Sequence, residues 1–357
     1  MKDVLKGLTV IEFANVLAGP AVGMFFAELG AKVIKVENKT TGGDLTRHWK
    51  LPGENPLSPV SSYYAAVNFG KEILMLDLND PSGRKKAGEL IQGADMVITN
   101  FRKAEAVKFS MRYADLKALN GKIIHGNISA YGEEDSRAGF DLVLQAEAGF
   151  MSMNGTAGSG PLKMPVALID VLAAHQMKEA LLLSLIRKMA SGQGSFVSVS
   201  LYETAISSLV NQASNYLGTG FVPGLNGSLH PNIAPYGEVV VSSDGKSIVL
   251  AIGNDKQFSA LCGIFELPDT AANTAYSSNA SRLKNRILLG KKLAQAALRL
   301  DSESLLAKFD VAGIPAGSIL SLDEVFAKPQ AQKMILEELR EGQLLRCVSS
   351  LAFKMEP

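Results

Sequence analysis

The first place to look for chemistry in this sequence is one carboxylate. Asp170 ends the short apolar run Val166–Ile169 and heads a helical pattern in which Leu172, Met177, Ala180, Leu181, Leu185 and Ile186 are spaced to bury one face. Gly192 and Gly194 stop that helix, and Phe196, Val197, Val199 and Leu201 supply a strand. An acidic residue at such a junction is favoured by the helix dipole and by free N–H groups. Taken alone, Asp170 is most economically a helix cap. Other chemistries are poorly provided for. Cys262 and Cys347 lie far apart, which indicates neither a disulfide framework nor a Cys-based metal site. The histidines His48, His125, His175 and His230 show no paired ligand spacing, so no metal is expected.

The elements around Asp170 form a pattern. Leu8–Phe13 reads as a buried strand, followed by the loop Ala14–Pro20, a helix over about 21–29 and a second strand at Lys32–Glu37. Strand, helix and strand in so short a stretch make a βαβ unit and imply a parallel sheet. The turn carries Gly19 and Gly23 rather than G-x-G-x-x-G, so the dinucleotide fingerprint is absent, although Glu37 stands where that motif keeps its ribose acid. Strands at Ile73–Leu78, Asp95–Thr99 and Lys122–Ile128 continue the alternation and predict an open α/β sheet. Asn15, Asn100, Arg102, Ser129 and Tyr131 fall at the carboxyl ends of its strands, where such sheets bind ligands. Glycines and prolines crowd residues 217–227 and the loop after them, a linker signal. Beyond it come a hairpin at Tyr236–Gly253, helices over 255–309, a strand at Gly313–Ile319 and a mostly helical Leu322–Leu339.

With 357 residues the chain is long enough for two domains; 47% of its residues are apolar and 20% charged, an ordinary globular composition. A net charge of +1 gives no field for nucleic acid and no polybasic tract for a membrane. Lys6 and Glu12 spoil an N-terminal signal segment, and no apolar run approaches the roughly 18 residues of a membrane span. A reducing cytoplasm is the expected location.

The order of motifs resembles the family III CoA-transferases, the group that includes formyl-CoA transferase and the carnitine CoA-transferase and bile-acid-inducible proteins. The likeness runs through LKGLTVIEFANVLAGP, GAKVIKVEN, Gly43-Asp44-Leu45-Thr46-Arg47, Asn68 with Lys71, Thr99-Asn100-Phe101-Arg102 and FDLVLQAEAGFMSMNG. It continues through the Asp170 helix with SGQGSFVSVSLYE, HPNIAPYG and GIPAGSILSLDEVF. The resemblance implies that Asp170 attacks an acyl-CoA thioester, passes through a mixed anhydride and an aspartyl-CoA thioester, and hands CoA to an acceptor acid. A carboxylate suits that task, since an ordinary pKa of about 3.9 leaves it ionised without a general base. Backbone N–H groups at the helix start or the Gly155–Gly160 turn would stabilise the oxyanion. The cofactor implied is coenzyme A, entering as the acyl-CoA substrate.

The same resemblance nominates Lys39, Arg47, Asn100, Arg102 and Lys103 for CoA, each of which could equally be a solvated surface charge or polar group. Asn38 stands where the family usually has Arg, and Lys103-Ala104 where it has Pro-Gly, which suggests rearranged contacts with Lys39 substituting. Leu17 occupies the place of formyl-CoA transferase's glutamine; it cannot donate a hydrogen bond and points to a substrate with an apolar part. Asn15, Tyr131, Asp141 and His230 are candidates for the substrate or for support of the site. Loop capping explains Asn15 as well, a helix cap explains Asp141, and a structural role explains His230. His175 is expected to be neutral and packed.

The alternative within the superfamily is an α-methylacyl-CoA racemase, which needs a Gly-His-Asp segment; here it reads Gly139-Phe140-Asp141, and phenylalanine cannot transfer a proton. A catalytically silent CoA-binding member is the other. The resemblance further implies an interlocked homodimer, and the near-neutral charge leads to the expectation of no nucleic-acid or membrane partner. Residues 1–216 with 319–357 would form a large Rossmann-like CoA-binding domain, 217–227 a linker and 228–318 a small α+β domain. The donor and acceptor acids are not named by the sequence.

Overall fold

The computed structural model describes residues 3–340 and 342–356. Its chain forms two compact units, one of Met1–Met151, Lys163–Gly220 and Gln330–Pro357, the other of Ser152–Leu162 and Phe221–Pro329. The larger unit is built on six parallel strands: β1 (Thr9–Glu12), β2 (Lys32–Asn38), β3 (Glu72–Leu76), β4 (Met96–Thr99), β5 (Ile124–Ser129) and β6 (Ser195–Ser200). Their order is β3-β2-β1-β4-β5-β6. The direction of winding therefore reverses between β1 and β4, and ligands of open α/β sheets bind at such a reversal, outside the carboxyl ends of the strands.

Both faces of the sheet carry apolar side chains, and the central strands β1 and β4 are buried on both. On one face, Val10, Met96, Ile98 and Ile124 pack with Val22 and Phe26 of α1 (Ala18–Glu28) and with Ile169, Met177 and Leu181 of a long helix over Leu168–Ser191. On the other, Ile11, Phe13, Ile34, Val36 and Val97 meet Ala87 and Ile91 of α2 (Pro81–Gln92) and Leu116. Asp80 caps α2 through Ser82 N–H, and Pro81, whose missing N–H costs nothing at that position, opens it. Gly126 in β5 has a packing role: a Cβ there would lie 2.7 Å from Met177 Sδ, so glycine lets the long helix lie against the sheet.

Gly19 and Gly23 likewise serve packing. A Cβ at Gly19 would stand 2.3 Å from Ala14 Cβ, and one at Gly23 would overlap the Glu12 carboxylate. This accounts for both glycines, which lie within α1, without a phosphate fingerprint.

The C-terminal stretch corrects an expectation. Instead of a helix running to Leu339, two short helices, Leu322–Phe326 and Pro329–Gln332, precede an antiparallel hairpin of Ile335–Arg340 and Gln343–Val348. That hairpin is a separate two-stranded sheet and does not rejoin the first. Buried Arg340 decides its placement, donating from Nη2 to the carbonyls of Asn68 (2.9 Å) and Lys71 (3.1 Å). The apolar segment 140–153 divides into α3 (Asp141–Glu147) and a single turn at Phe150–Met153.

In the smaller unit, Tyr236–Val241 and Ser247–Ala251 form the expected hairpin, and Ala316–Ser318 pairs on the far side of Ser247–Ala251. Its core joins Val240, Ile248 and Leu250 to Phe258, Leu289, Leu293 and Phe309 of the surrounding helices. No helix among the described residues is long and apolar enough to cross a membrane.

Candidate active site

The loops after β1 and β4 meet at the point where the sheet reverses. Asn15 donates its backbone N–H to Asn100 Oδ1 (3.2 Å), and Asn100 Nδ2 donates to the Asn15 carbonyl (3.0 Å). The Asn100 amide, a candidate CoA contact in the sequence, thus also joins two loops. Beside this bridge lies a cleft of about 300 Å³ walled by Asn15–Ala18, Asn100–Lys103, Asn127–Ala130 and Gly139–Phe140, with Asp170 on its lining. The cleft brings together Asn15, Leu17, Asn100, Arg102, Lys103 and Asp170, residues up to 155 positions apart in sequence.

Asp170 does not cap its own helix. The helix that carries it, α4 (Leu168–Ser191), has Ala167 at the N-cap with no side-chain bond, and Asp170 lies in the first turn. The cap comes from α3. Asp141 Oδ1 accepts the N–H groups of Ile169 (2.7 Å) and Asp170 (3.4 Å), while its Oδ2 accepts Gln145 Nε2 (2.6 Å). Gln145 Oε1 in turn accepts the N–H of Met164 (2.8 Å), fixing the segment that leads into the helix. The Asp170 carboxylate itself receives no hydrogen bond from a described residue and is 7% exposed. Burial, followed by the charge of Asp141, pushes its pKa up to about 7. This corrects the expectation of an ordinary carboxylate: near neutral pH Asp170 is divided between acid and anion.

Tyr63 belongs to the same neighbourhood and was not foreseen. Burial raises its pKa, and the next causes are the negative fields of Asp170, Asp141 and Asp44. Its ring packs edge-on against Trp49, with centroids 5.1 Å apart. The adjacent pair Tyr63-Tyr64 in a long polar loop was the available signal, but the two side chains differ in use: Tyr64 is buried and donates to Glu37 Oε1 at 2.6 Å.

The remaining candidates divide. Arg102 and Lys103 line the cleft and are exposed, Arg102 3.5 Å from Glu105 and Lys103 2.5 Å from Glu134. Arg137, which the sequence did not single out, lines the cleft too and pairs with Asp135 at 2.9 Å. Lys39 is exposed in a different hollow, with Thr40, Ser82 and Lys86. Arg47 is 3% exposed; its Nε binds Glu37 Oε2 at 2.6 Å and its Nη2 lies 2.9 Å from Tyr64 Oη. That buried pairing ties the Arg47 guanidinium to Glu37 and Tyr64 beneath the loop, whereas its expected place was on the CoA path. The same Glu37 was placed by sequence where a ribose acid would stand; here it is the partner of Arg47 and Tyr64.

Tyr131 lies outside the cleft lining, donates to Glu147 (2.9 Å) and is covered by the Arg137 guanidinium at 3.8 Å. His175 is exposed on α4, contrary to a packed side chain. His230 and the Gly155–Gly160 turn belong to the smaller unit. There, His230 Nδ1 accepts the N–H of Asn232 (3.1 Å) and its ring meets Tyr236 edge-on.

The description CoA-transferase family III matches residues 5–354. The chain belongs to CoA-transferase family III. Members of that family are enzymes whose substrates are CoA thioesters, and this chain is one of them. It is 38% identical over 340 residues to a succinate–glutarate CoA-transferase of Agrobacterium fabrum, covering 93% of this chain and 84% of that one. It is 32% identical to the human succinyl-CoA:glutarate CoA-transferase, covering 91% of this chain and 74% of the other. Among solved structures, a CaiB/BaiF family protein of Brucella suis superposes with a TM-score of 0.84 at 33% identity, over 99% of this chain and 93% of its own. For a family III transferase, a buried carboxylate on the wall of the cleft at the sheet's winding reversal is a site whose chemistry can be argued from its geometry.

Proposed function

We propose that this enzyme moves CoA from a dicarboxylic acyl-CoA to a second dicarboxylic acid, with Asp170 as the covalent carrier. The observation that carries the proposal is the Asp170 carboxylate: buried, without a hydrogen-bond donor among the described residues, and on the cleft wall beside a helix start. A carboxylate so desolvated and unshared is a stronger nucleophile than one in water, and the anion is the attacking form. Its oxygen adds to the thioester carbonyl, the C–S bond breaks, and CoA leaves as thiolate from a mixed anhydride. The thiolate then attacks the Asp170 carbonyl carbon and releases the first acid as carboxylate, leaving aspartyl-CoA. An acceptor carboxylate attacks that thioester, regenerating anhydride and thiolate; the thiolate takes the new acyl group and Asp170 returns as the anion. No proton is gained or lost over the cycle.

Each tetrahedral intermediate needs donors for its oxyanion. Helix α1 begins at Ala18 on the cleft wall, and the first N–H groups of a helix have no acceptor inside it, so they are the natural donors. Arg102, Lys103 and Arg137 around the same cleft suit CoA phosphates and the distal carboxylate of a dicarboxylic acid. The names of the relatives supply succinate and glutarate as the first acids to try.

The test is trapping. Incubation with succinyl-CoA and hydroxylamine should convert Asp170 alone to its hydroxamate, read as a mass shift on its peptide, and glutaryl-CoA should form once glutarate is supplied. An unmarked Asp170 in protein that nevertheless makes glutaryl-CoA would sink the covalent route. We also take the larger unit, with strand order 3-2-1-4-5-6, as a Rossmann-like CoA domain, and the enzyme as a homodimer. Exposed Leu183, Ile186 and Met189 on α4, with Tyr216 and Leu217 on Val210–Thr219, support the dimer, and a monomer in sedimentation at micromolar concentration would overturn it.

A further inference from the structure

We infer that Asp44 is a positioning residue for the reaction: by accepting the N–H of Val16 it holds a strained loop in the shape that presents Leu17 and Ala18 to the Asp170 cleft. The inference rests on Asp170 as the nucleophile. Val16 is β-branched yet has φ of 73°, the left-handed region that such residues rarely adopt. A conformation of this kind persists only where the surroundings over-determine it.

Here the backbone groups of the loop are held one after another. The Ala14 carbonyl accepts Lys35 Nζ at 2.7 Å, Asn15 is bridged in both directions by Asn100, and the Val16 N–H donates to Asp44 Oδ2 at 3.1 Å. Asp44 is itself immobilised. Its Oδ1 accepts Thr46 N–H (3.0 Å) and Thr46 Oγ1 (2.8 Å), and its Oδ2 lies 3.0 Å from Lys35 Nζ. Its own N–H donates to Glu37 Oε2 (3.0 Å), the oxygen that also takes Arg47 Nε. Gly43, with φ of 103°, makes this possible, since a Cβ there would lie 2.3 Å from the same oxygen. The Gly43-Asp44-x-x-Arg47 motif thereby gains a physical reason.

Lys35 continues to Glu12 at 3.0 Å and Glu12 to Lys71 at 2.8 Å, and these side chains are shut off from solvent. The clamp ends one residue before Leu17 and Ala18, whose placement decides where the oxyanion donors point.

The test compares Asp44→Ala with the double variant Asp44→Ala/Val16→Gly. Losing the clamp lets Val16 relax and moves the donors, so Asp44→Ala is expected to lower kcat roughly 10²-fold with little change in KM for acyl-CoA. Glycine takes a positive φ without help, so Val16→Gly should recover about tenfold of that loss, while gaining nothing in the native background. A double variant as slow as Asp44→Ala, or a rise in KM at unchanged kcat, overturns the inference. If Asp44→Ala does not fold, Asn100→Ala with and without Val16→Gly makes the same comparison from the less buried arm of the clamp. If the native enzyme transfers no CoA at all, the nucleophile reading fails. The clamp is then judged by urea midpoints, upheld if Val16→Gly raises the midpoint more in Asp44→Ala than in the native chain, and overturned if the shifts are equal.

Discussion

Replacing Asp170 by asparagine is expected to abolish CoA transfer and to stabilise the folded protein above pH 7. The loss of activity should exceed about 10⁴-fold, as when a covalent nucleophile is removed. The gain in stability follows from burial. Asp170 binds its proton more tightly in the folded chain, with a pKa of about 7, than at its ordinary value of 3.8. Between those values the folded state holds more protons than the unfolded one, so stability falls as pH rises from about 4 to about 7. Asparagine has no such proton. The two unfolding curves should coincide below pH 4 and separate above pH 7 by up to roughly 4 kcal/mol, taking about 1.36 kcal/mol for each tenfold change in proton affinity. Urea denaturation at pH 4 and pH 8 reads the difference. Equal stability at pH 8 would mean that Asp170 is not held as a desolvated anion, and the argument for its nucleophilicity would lose its support. In the native enzyme the same titration predicts kcat/KM rising with pH to a plateau above about 7.

This combination of lost activity and gained stability separates a nucleophile from a cap. A cap removed lowers stability by about 0.5–2 kcal/mol at any pH where it is made. The sequence left these two readings open because both put an acidic residue at a helix start. Only the position of Asp141, 29 residues earlier in the chain, shows that the capping has been delegated to a neighbour. Asp170 is then free to face the cleft with its lone pairs unshared.

What was legible in the sequence was what local pattern controls. The βαβ unit, the cap at Asp80, the Asn15 and Asn100 loop ends and the Asp170 junction follow from apolar spacing and turn residues over a few positions. What was hidden depends on partners distant in sequence. The raised pKa of Asp170 comes from burial and from another helix. The burial of Arg47 against Glu37 and Tyr64 depends on residues 10 and 17 positions away. Glu12 and Lys35, charged residues inside apolar strands, were signals of a buried network, since such charges persist in a core only when paired. The C-terminal hairpin was missed because Ile335, Leu336 and Leu339 fit a helical spacing as well as a strand. Its pairing with Gln343–Val348 decided the matter.

The roles of Asp141 are separable by two substitutions. Asp141→Asn keeps an oxygen for the N–H groups of Ile169 and Asp170 but removes the charge that helps raise the Asp170 pKa. The acid limb of the kcat/KM profile should therefore move to lower pH while the fold loses only about 1 kcal/mol, the cost of rearranging the bond to Gln145. Asp141→Ala removes charge and cap together, strands two buried donors and releases Gln145. It should cost about 2 kcal/mol or more of stability, and kcat should fall on the order of 10²-fold as the start of the Asp170 helix loosens. An acid limb unmoved in Asp141→Asn would show that the group titrating there is not Asp170. A limb that moves, together with a helix start that loosens only in Asp141→Ala, would show one carboxylate tuning its neighbour by charge and holding it by hydrogen bond.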